Sequence, residues 1–403
     1  MNRRVVVTGL GVVSSIGIGK DEFWKNLIAG KSGISEIKTF DASEYPVHRG
    51  GEVKDFDPAQ YIPKNRLKDI ARASQFAIAA TKMALEDAKL GKDELRGKRL
   101  GIVIGTTMAD VQSLEQIDKH WIAKGENDVW PINVQKYPAN NLSDNIGFHF
   151  RFQGVNIAVP TACSAGNYSI GLACDLIRQN KIDFAIVGGA DPISRTNFTG
   201  FNRLIAMAPD RCQPFDKDRK GMLVGEGSGV LVLEELESAK KRFVSIYAQI
   251  LGYGLSCDAY HMTTQRVEGI IKVMEKAIRN SGIKKEDVDY ISAHGTGTPT
   301  NDKTECEAIK KVFANSAKNL SISSIKSMLG HTMGAASAIE AIACCLAVKN
   351  DIMPPTINFE TPDPECDIDC VPNTAKGKEI KVALNNSFAF GGNNACVVIQ
   401  KYE

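Results

Sequence analysis

The sequence predicts an α/β fold made of two matched halves, residues 1–244 and 245–403. Three features point there. Apolar segments of strand length alternate with helical ones, the alternation runs through two similar series, and a turn leading into a helix of small residues recurs once in each. No Pro- or Ser-rich linker divides the series, so the halves are expected to pack as one body. A chain of 403 residues can bury a sizeable core, and 43% hydrophobic with 24% charged residues exclude a disordered, fibrous or coiled-coil protein. Lys and Arg number 49 against 47 Asp and Glu, a net charge of +2 that gives no reason to expect nucleic acid as a partner.

The elements follow in order. Arg3 and Arg4 before Val5-Val6-Val7 imitate the start of a signal peptide, but Gly9 interrupts the apolar stretch early, and the segment reads as a strand over 4–9. Periodicity then gives helices over 21–29 and 75–88, strands over 100–105 and 156–159, a helix over 163–178, and strands over 184–188 and 229–234. The second series has a strand over 246–253, a helix over 269–280, a strand over 288–293, a helix over 305–313 and a strand over 320–325. A helix over 334–348 and strands over 382–386 and 394–400 close it. No run of about 18 uncharged apolar residues occurs, so neither a membrane span nor a membrane partner is expected. The 10 cysteines are irregularly placed, and Cys174, Cys344, Cys345 and Cys396 lie in apolar runs, which fits a reducing cytoplasm. Cys366 and Cys370 lack the second ligand pair that a closed zinc site needs, and no metal or cofactor is expected.

Candidate chemistry gathers where strands end. Cys163 follows an apolar strand, Pro160 and a tight Thr161-Ala162 approach, and it opens a helix of small residues. There the helix dipole would favour the thiolate, and the backbone N–H would face a developing oxyanion; a small buried thiol is the alternative. His294 ends a strand and opens Gly295-Thr296-Gly297-Thr298-Pro299, and His331 sits in Lys326-Ser327-Met328-Leu329-Gly330-His331 just past another strand. Either histidine alone reads as structural; two of only 6, at equivalent exits and joined by Cys163, read as a site. Asp302 and Glu305 follow His294, and a buried Lys326 paired with either carboxylate would orient the histidine loop, unless these are solvated charges. Asn385 to Asn394 combines amides, Phe388, Phe390, Gly391 and Gly392 between two strands, as a substrate loop or a polar hairpin turn. Gly9-Leu10-Gly11-Val12-Val13-Ser14 imitates a dinucleotide fingerprint, but its sixth position is serine and no strand-ending acid stands about 20 residues on.

Taken together, these residues resemble the elongating β-ketoacyl-acyl-carrier-protein synthases of the thiolase superfamily, most closely those of type II fatty-acid synthesis. The resemblance runs from Val5 to Gly11 through Thr161-Ala162-Cys163-Ser164, Pro214 to Arg219, Gly225-Glu226-Gly227 and Asp258 to Thr263, then both histidine motifs and Asn386 to Gly392. It implies a thiolase-like five-layered αβαβα fold with internal duplication, a homodimer, and acyl carrier protein as partner. It implies that Cys163 accepts the acyl group and that His294 and His331 promote decarboxylation of malonyl-carrier protein. The amides of Cys163 and Phe390 would hold the oxyanion, Lys326 with Glu305 would support His331, and Phe390 would gate the site. Met108, Thr296, Thr298, Phe388 and Gly391 are expected to contact substrate. Met108 matches a position near the dimer interface that limits the acyl pocket.

Carrier protein is acidic, so Lys64, Lys68 and Arg72, spaced four apart, are expected to line one helical docking face, with solvated side chains as the alternative. Three residues depart from the family pattern or vary within it. Ala389 and Asn393 replace a glycine and a threonine, and Gly297 is serine in many fatty-acid enzymes and glycine in many polyketide ones. Fatty-acid elongation leads, with a dedicated polyketide or unusual-lipid pathway and a silent chain-length partner subunit as alternatives. A non-decarboxylating thiolase would need a second catalytic cysteine, and Cys396 lies in a strand pattern instead.

Overall fold

The computed structural model describes residues 3–403. Its main sheet takes five long segments from the first half: β1 (Val5–Ser14), β2 (Leu100–Gly105), β3 (Gly154–Val159), β4 (Phe184–Asp191) and β5 (Gly227–Glu235). The second half supplies β6 (Ala248–Cys257), β7 (Tyr290–Ser292), β8 (Ser321–Ser323), β9 (Val382–Phe388) and β10 (Asn393–Lys401). Across the sheet they run β3-β2-β4-β5-β1-β6-β10-β9-β7-β8, with the two-residue strand Gly17–Ile18 folded back on β1.

That order is the same list read from both edges. In the first half β2 is parallel to β3 and β4, while β5 is antiparallel to β4 and β1. In the second, β7 is parallel to β8 and β9, while β10 is antiparallel to β9 and β6. The halves join through antiparallel β1 and β6. Strands β2, β4 and β9 are buried along their whole length and so are covered on both faces; β2 and most of β4 are apolar, whereas β9 carries buried Asn385, Asn386 and Ser387.

Helices complete the layers. Helix α1 (Arg72–Asp87) covers β1 and β5 on one outer face, with α2 (Asn141–Phe150) beside it against β2 and β3. Helices α3 (Ala165–Arg178) and α6 (Ala336–Asn350) pack on each other in the middle and touch strands of both halves. Helices α4 (Val267–Ser281) and α5 (Pro299–Phe313) form the other outer layer. The 18 residues Met333–Asn350 are long and apolar enough to cross a membrane, but 89% of them are buried in the protein, so α6 is a core helix.

Two differences from the sequence reading have plain causes. Strand β1 runs on to Ser14 because Gly9 and Gly11 do not end it. A Cβ at Gly11 would lie 1.9 Å from the Ala80 carbonyl oxygen, so these glycines let α1 press on the strand, and no dinucleotide loop forms. Helix α5 starts at Pro299 rather than 305, because proline is well placed in a first helical turn.

Candidate active site

The duplicated turns put the chemistry at the centre. After β3, Ala162 adopts φ 51° and a short 3₁₀ turn, Ala162–Ser164, leads into α3; in the second half Met333 adopts φ 53° and Met333–Ala335 leads into α6. A left-handed L-residue costs roughly 1–2 kcal/mol, so surrounding contacts hold both bends. Cys163 occupies the position that Gly334 fills in the second copy.

A cavity of about 380 Å³ opens over this turn, and Cys163, His294, His331, Thr296, Thr298, Phe388 and Phe390 all line it. The sulfur from the first half and both imidazoles from the second therefore share one chamber. A larger groove of about 1360 Å³, between Tyr61, Lys82 and Phe148 to Phe152, holds none of the three. Thr296 and Thr298 bond each other through their hydroxyls at 2.9 Å.

The imidazole rings stand edge to face, centroids 5.5 Å apart, and Phe388 abuts His294 at 5.7 Å. Burial, the Lys326 charge and, for His294, its neighbour His331 push both histidines well below the usual range, so both are neutral. The amide of Met333 donates to His331 Nδ1 at 3.1 Å. An amide only donates, so this nitrogen is the acceptor and neutral His331 carries its proton on Nε2.

Lys326 is fully buried and pairs with Glu340 of α6, not with Glu305 or Asp302 as the sequence suggested. Glu305 instead accepts the amides of His294 at 2.9 Å and Gly295 at 2.8 Å, fixing the histidine loop directly. Asp302 accepts the Phe215 amide at 2.8 Å and faces Arg219. Desolvation raises Glu305 and Glu340 each to about 7.

Burial also pushes the Cys163 thiol up to about 11, against the smaller opposing pulls of Lys326 and of the Cys163 and Phe390 amides. The expected helix-dipole gain in thiolate is thus outweighed by desolvation. Those two amides nevertheless point at the sulfur.

Other expected contacts lie elsewhere. Met108 is half-buried outside the cavity lining, its amide on Asp191 at 3.1 Å. Gly391, at φ 78°, is also outside the lining, and its amide donates to Met262 at 2.8 Å. Lys64 and Lys68 are exposed on a 3₁₀ turn, Lys64–Asp69, whereas Arg72 starts α1 and turns inward onto buried Glu226 at 2.6 Å. The three do not share a helical face.

A β-ketoacyl synthase N-terminal domain model matches residues 2–239 and the corresponding C-terminal domain model matches residues 247–360. The chain belongs to the β-ketoacyl synthase family. Proteins named 3-oxoacyl-[acyl-carrier-protein] synthase 2 from Synechocystis sp. and Coxiella burnetii are 41% and 40% identical to it, over 100% and 99% of this chain and 99% of each of theirs. A solved structure described as the ishigamide ketosynthase/chain length factor superposes with a TM-score of 0.97 at 44% identity, covering 100% of both chains. Another, of a type II polyketide acyl-carrier protein in complex with its ketosynthase, gives 0.92 at 32% identity, again over 100% of both.

Within this β-ketoacyl synthase fold, sequence reasoning missed Glu340 and Asp191. Glu340 had a signal: it is the lone carboxylate in an otherwise small and apolar core helix, and such a charge needs a partner. Asp191, at the end of β4, accepts the Thr106 hydroxyl and the amides of Thr107, Met108 and Gly334. Its carboxylate ties the loop after β2 to the turn beside His331.

Proposed function

We propose that this chain catalyses the decarboxylating Claisen condensation of an acyl group held on Cys163 with malonyl-acyl-carrier protein, in fatty-acid elongation. The observation that carries the reading is the single chamber shared by Cys163, His294 and His331. Cys163 attacks the carbonyl of an acyl-carrier thioester, the oxyanion rests on the amides of Cys163 and Phe390, and the thiol proton leaves with the carrier sulfur. Malonyl-carrier protein then loses CO₂. The enolate oxygen takes a hydrogen bond from His331 Nε2–H, with His294 beside it, and neutral donors meet charge that develops only in the transition state. The enolate carbon attacks the Cys163 thioester, carbon–carbon bond formation displaces the sulfur, and the thiolate regains a proton. Lys326 is the cation that tunes all three groups. Cys396 sits buried in β10, outside the cavity lining, so it supplies no second thiol as a thiolase would require.

Acyl carrier protein, docking at Lys64 and Lys68, is the proposed partner, and residues 1–244 and 245–403 are the proposed halves. A second copy of the chain is proposed to seat on the edge strand β3. That strand leaves one side unpaired, and the chain also exposes the large apolar side chains of Trp121, Ile122 and Trp130. The 10 cysteines are all free, which supports the reducing cytoplasm as location.

A dedicated polyketide or unusual-lipid pathway is the second reading. Gly297 favours it, since glycine stands here in many polyketide enzymes, and at φ 75° with a Cβ position 2.9 Å from the Gly221 carbonyl oxygen the serine of many fatty-acid enzymes would be strained. Incubation with a panel of acyl-carrier thioesters plus malonyl-carrier protein tests both. Acylated Cys163 and β-ketoacyl product are expected, the loaded acyl groups decide the pathway, and absence of product would leave a silent partner subunit.

A further inference from the structure

In a regular helix the carbonyl of residue 163 would receive the amide four residues on. Here a side chain of the other half stands between them. The Asn167 amide donates to Ser337 Oγ at 3.0 Å, and Ser337 Oγ donates to the Cys163 carbonyl at 3.3 Å. Ser387 Oγ on β9 donates to the same carbonyl at 3.0 Å, so both of its lone pairs are engaged. The bridge is itself braced: the Asn385 side-chain amide donates to the Ser337 carbonyl at 2.8 Å and to Asn167 Oδ1 at 2.9 Å, and Asn167 Nδ2 donates back to the Asn385 carbonyl at 2.9 Å. All of these side chains are fully buried.

We propose that Ser337 is a positioning residue for the nucleophile: its inserted hydroxyl holds the Cys163 turn apart from the start of α3 and thereby aims the Cys163 amide at the oxyanion. The physical step is short. If the hydroxyl is removed, the Asn167 amide either stays unpaired in the core or closes directly on the Cys163 carbonyl. Closure pulls that carbonyl toward α3 and rotates Cys163, whose preceding residue is already held in the left-handed region at φ 51°. The thiol stays in the chamber, but its amide leaves the line of the attacked carbonyl oxygen. The inference rests on Cys163 being the acyl acceptor, as argued above.

The test separates the amide from the sulfur. Acylation of Cys163 by an acyl-carrier thioester passes through an oxyanion, whereas alkylation by iodoacetamide does not. Ser337→Ala should lower the single-turnover acylation rate by roughly 10- to 100-fold, a part of the 10²–10³ that deleting an oxyanion donor costs, with KM nearly unchanged. Alkylation of Cys163 should change by less than about threefold. Ser387→Ala, which strips the other hydroxyl from the same carbonyl, should show the same selectivity and stands in if Ser337→Ala fails to fold. Equal loss of both rates, or no loss of acylation in a folded variant, would overturn the role of Ser337. A wild-type protein that never acylates Cys163 would instead refute the underlying reading.

Discussion

The Cys163 thiol, raised to about 11, allows a direct check on how the nucleophile is held. Across pH 7 to 9.5 the thiol form dominates, and the thiolate is about 10⁻³ of the population at pH 8 and about 10⁻² at pH 9. The pseudo-first-order rate of iodoacetamide alkylation at Cys163 should therefore rise about tenfold per pH unit through this range, without a plateau. Exposed Cys257 will react as well, so the measurement is mass spectrometry of the Cys163 peptide over time. Lys326→Met removes the cation that partly offsets burial and should lower the Cys163 rate further at every pH. A plateau below pH 9 would refute the reasoning, because it would mean that the two amides and Lys326 outweigh desolvation.

Breaking the buried Lys326–Glu340 pair by Lys326→Met alone should cost about 3–5 kcal/mol of stability, while Lys326→Met with Glu340→Leu should recover most of it but not activity. Because a lone Glu340 is discharged by protonation, the single variant's deficit in thermal unfolding should shrink from pH 8 to pH 5; a pH-independent deficit would contradict this. Asp191→Asn leaves at least one of four donors without an acceptor, at about 1–3 kcal/mol each, and should lower both the melting temperature and malonyl decarboxylation. An unaltered melting temperature would sink that account. Lys64→Glu with Lys68→Glu should weaken catalysis on carrier-bound substrate far more than on a small thioester mimic, whereas equal losses would remove those lysines from docking.

Much was legible in the residues alone. Apolar runs of strand length and period-3.6 patterns specify which segments become strands and helices, because the apolar surface each element must bury is a local property of the chain. The repeated small-residue turns before α3 and α6 likewise announced two copies of one unit. Cys163, His294 and His331 stood out because reactive side chains at strand ends are rare and local in sequence. What pairs with a buried charge is not local. Lys326 found Glu340 of α6 rather than Glu305 or Asp302, and Arg72 found Glu226 rather than solvent, because each charge takes the partner that packing delivers. The Cys163 thiol moved opposite to the helix-dipole expectation for the same reason: a dipole belongs to one helix, but desolvation is imposed by every layer that closes over it.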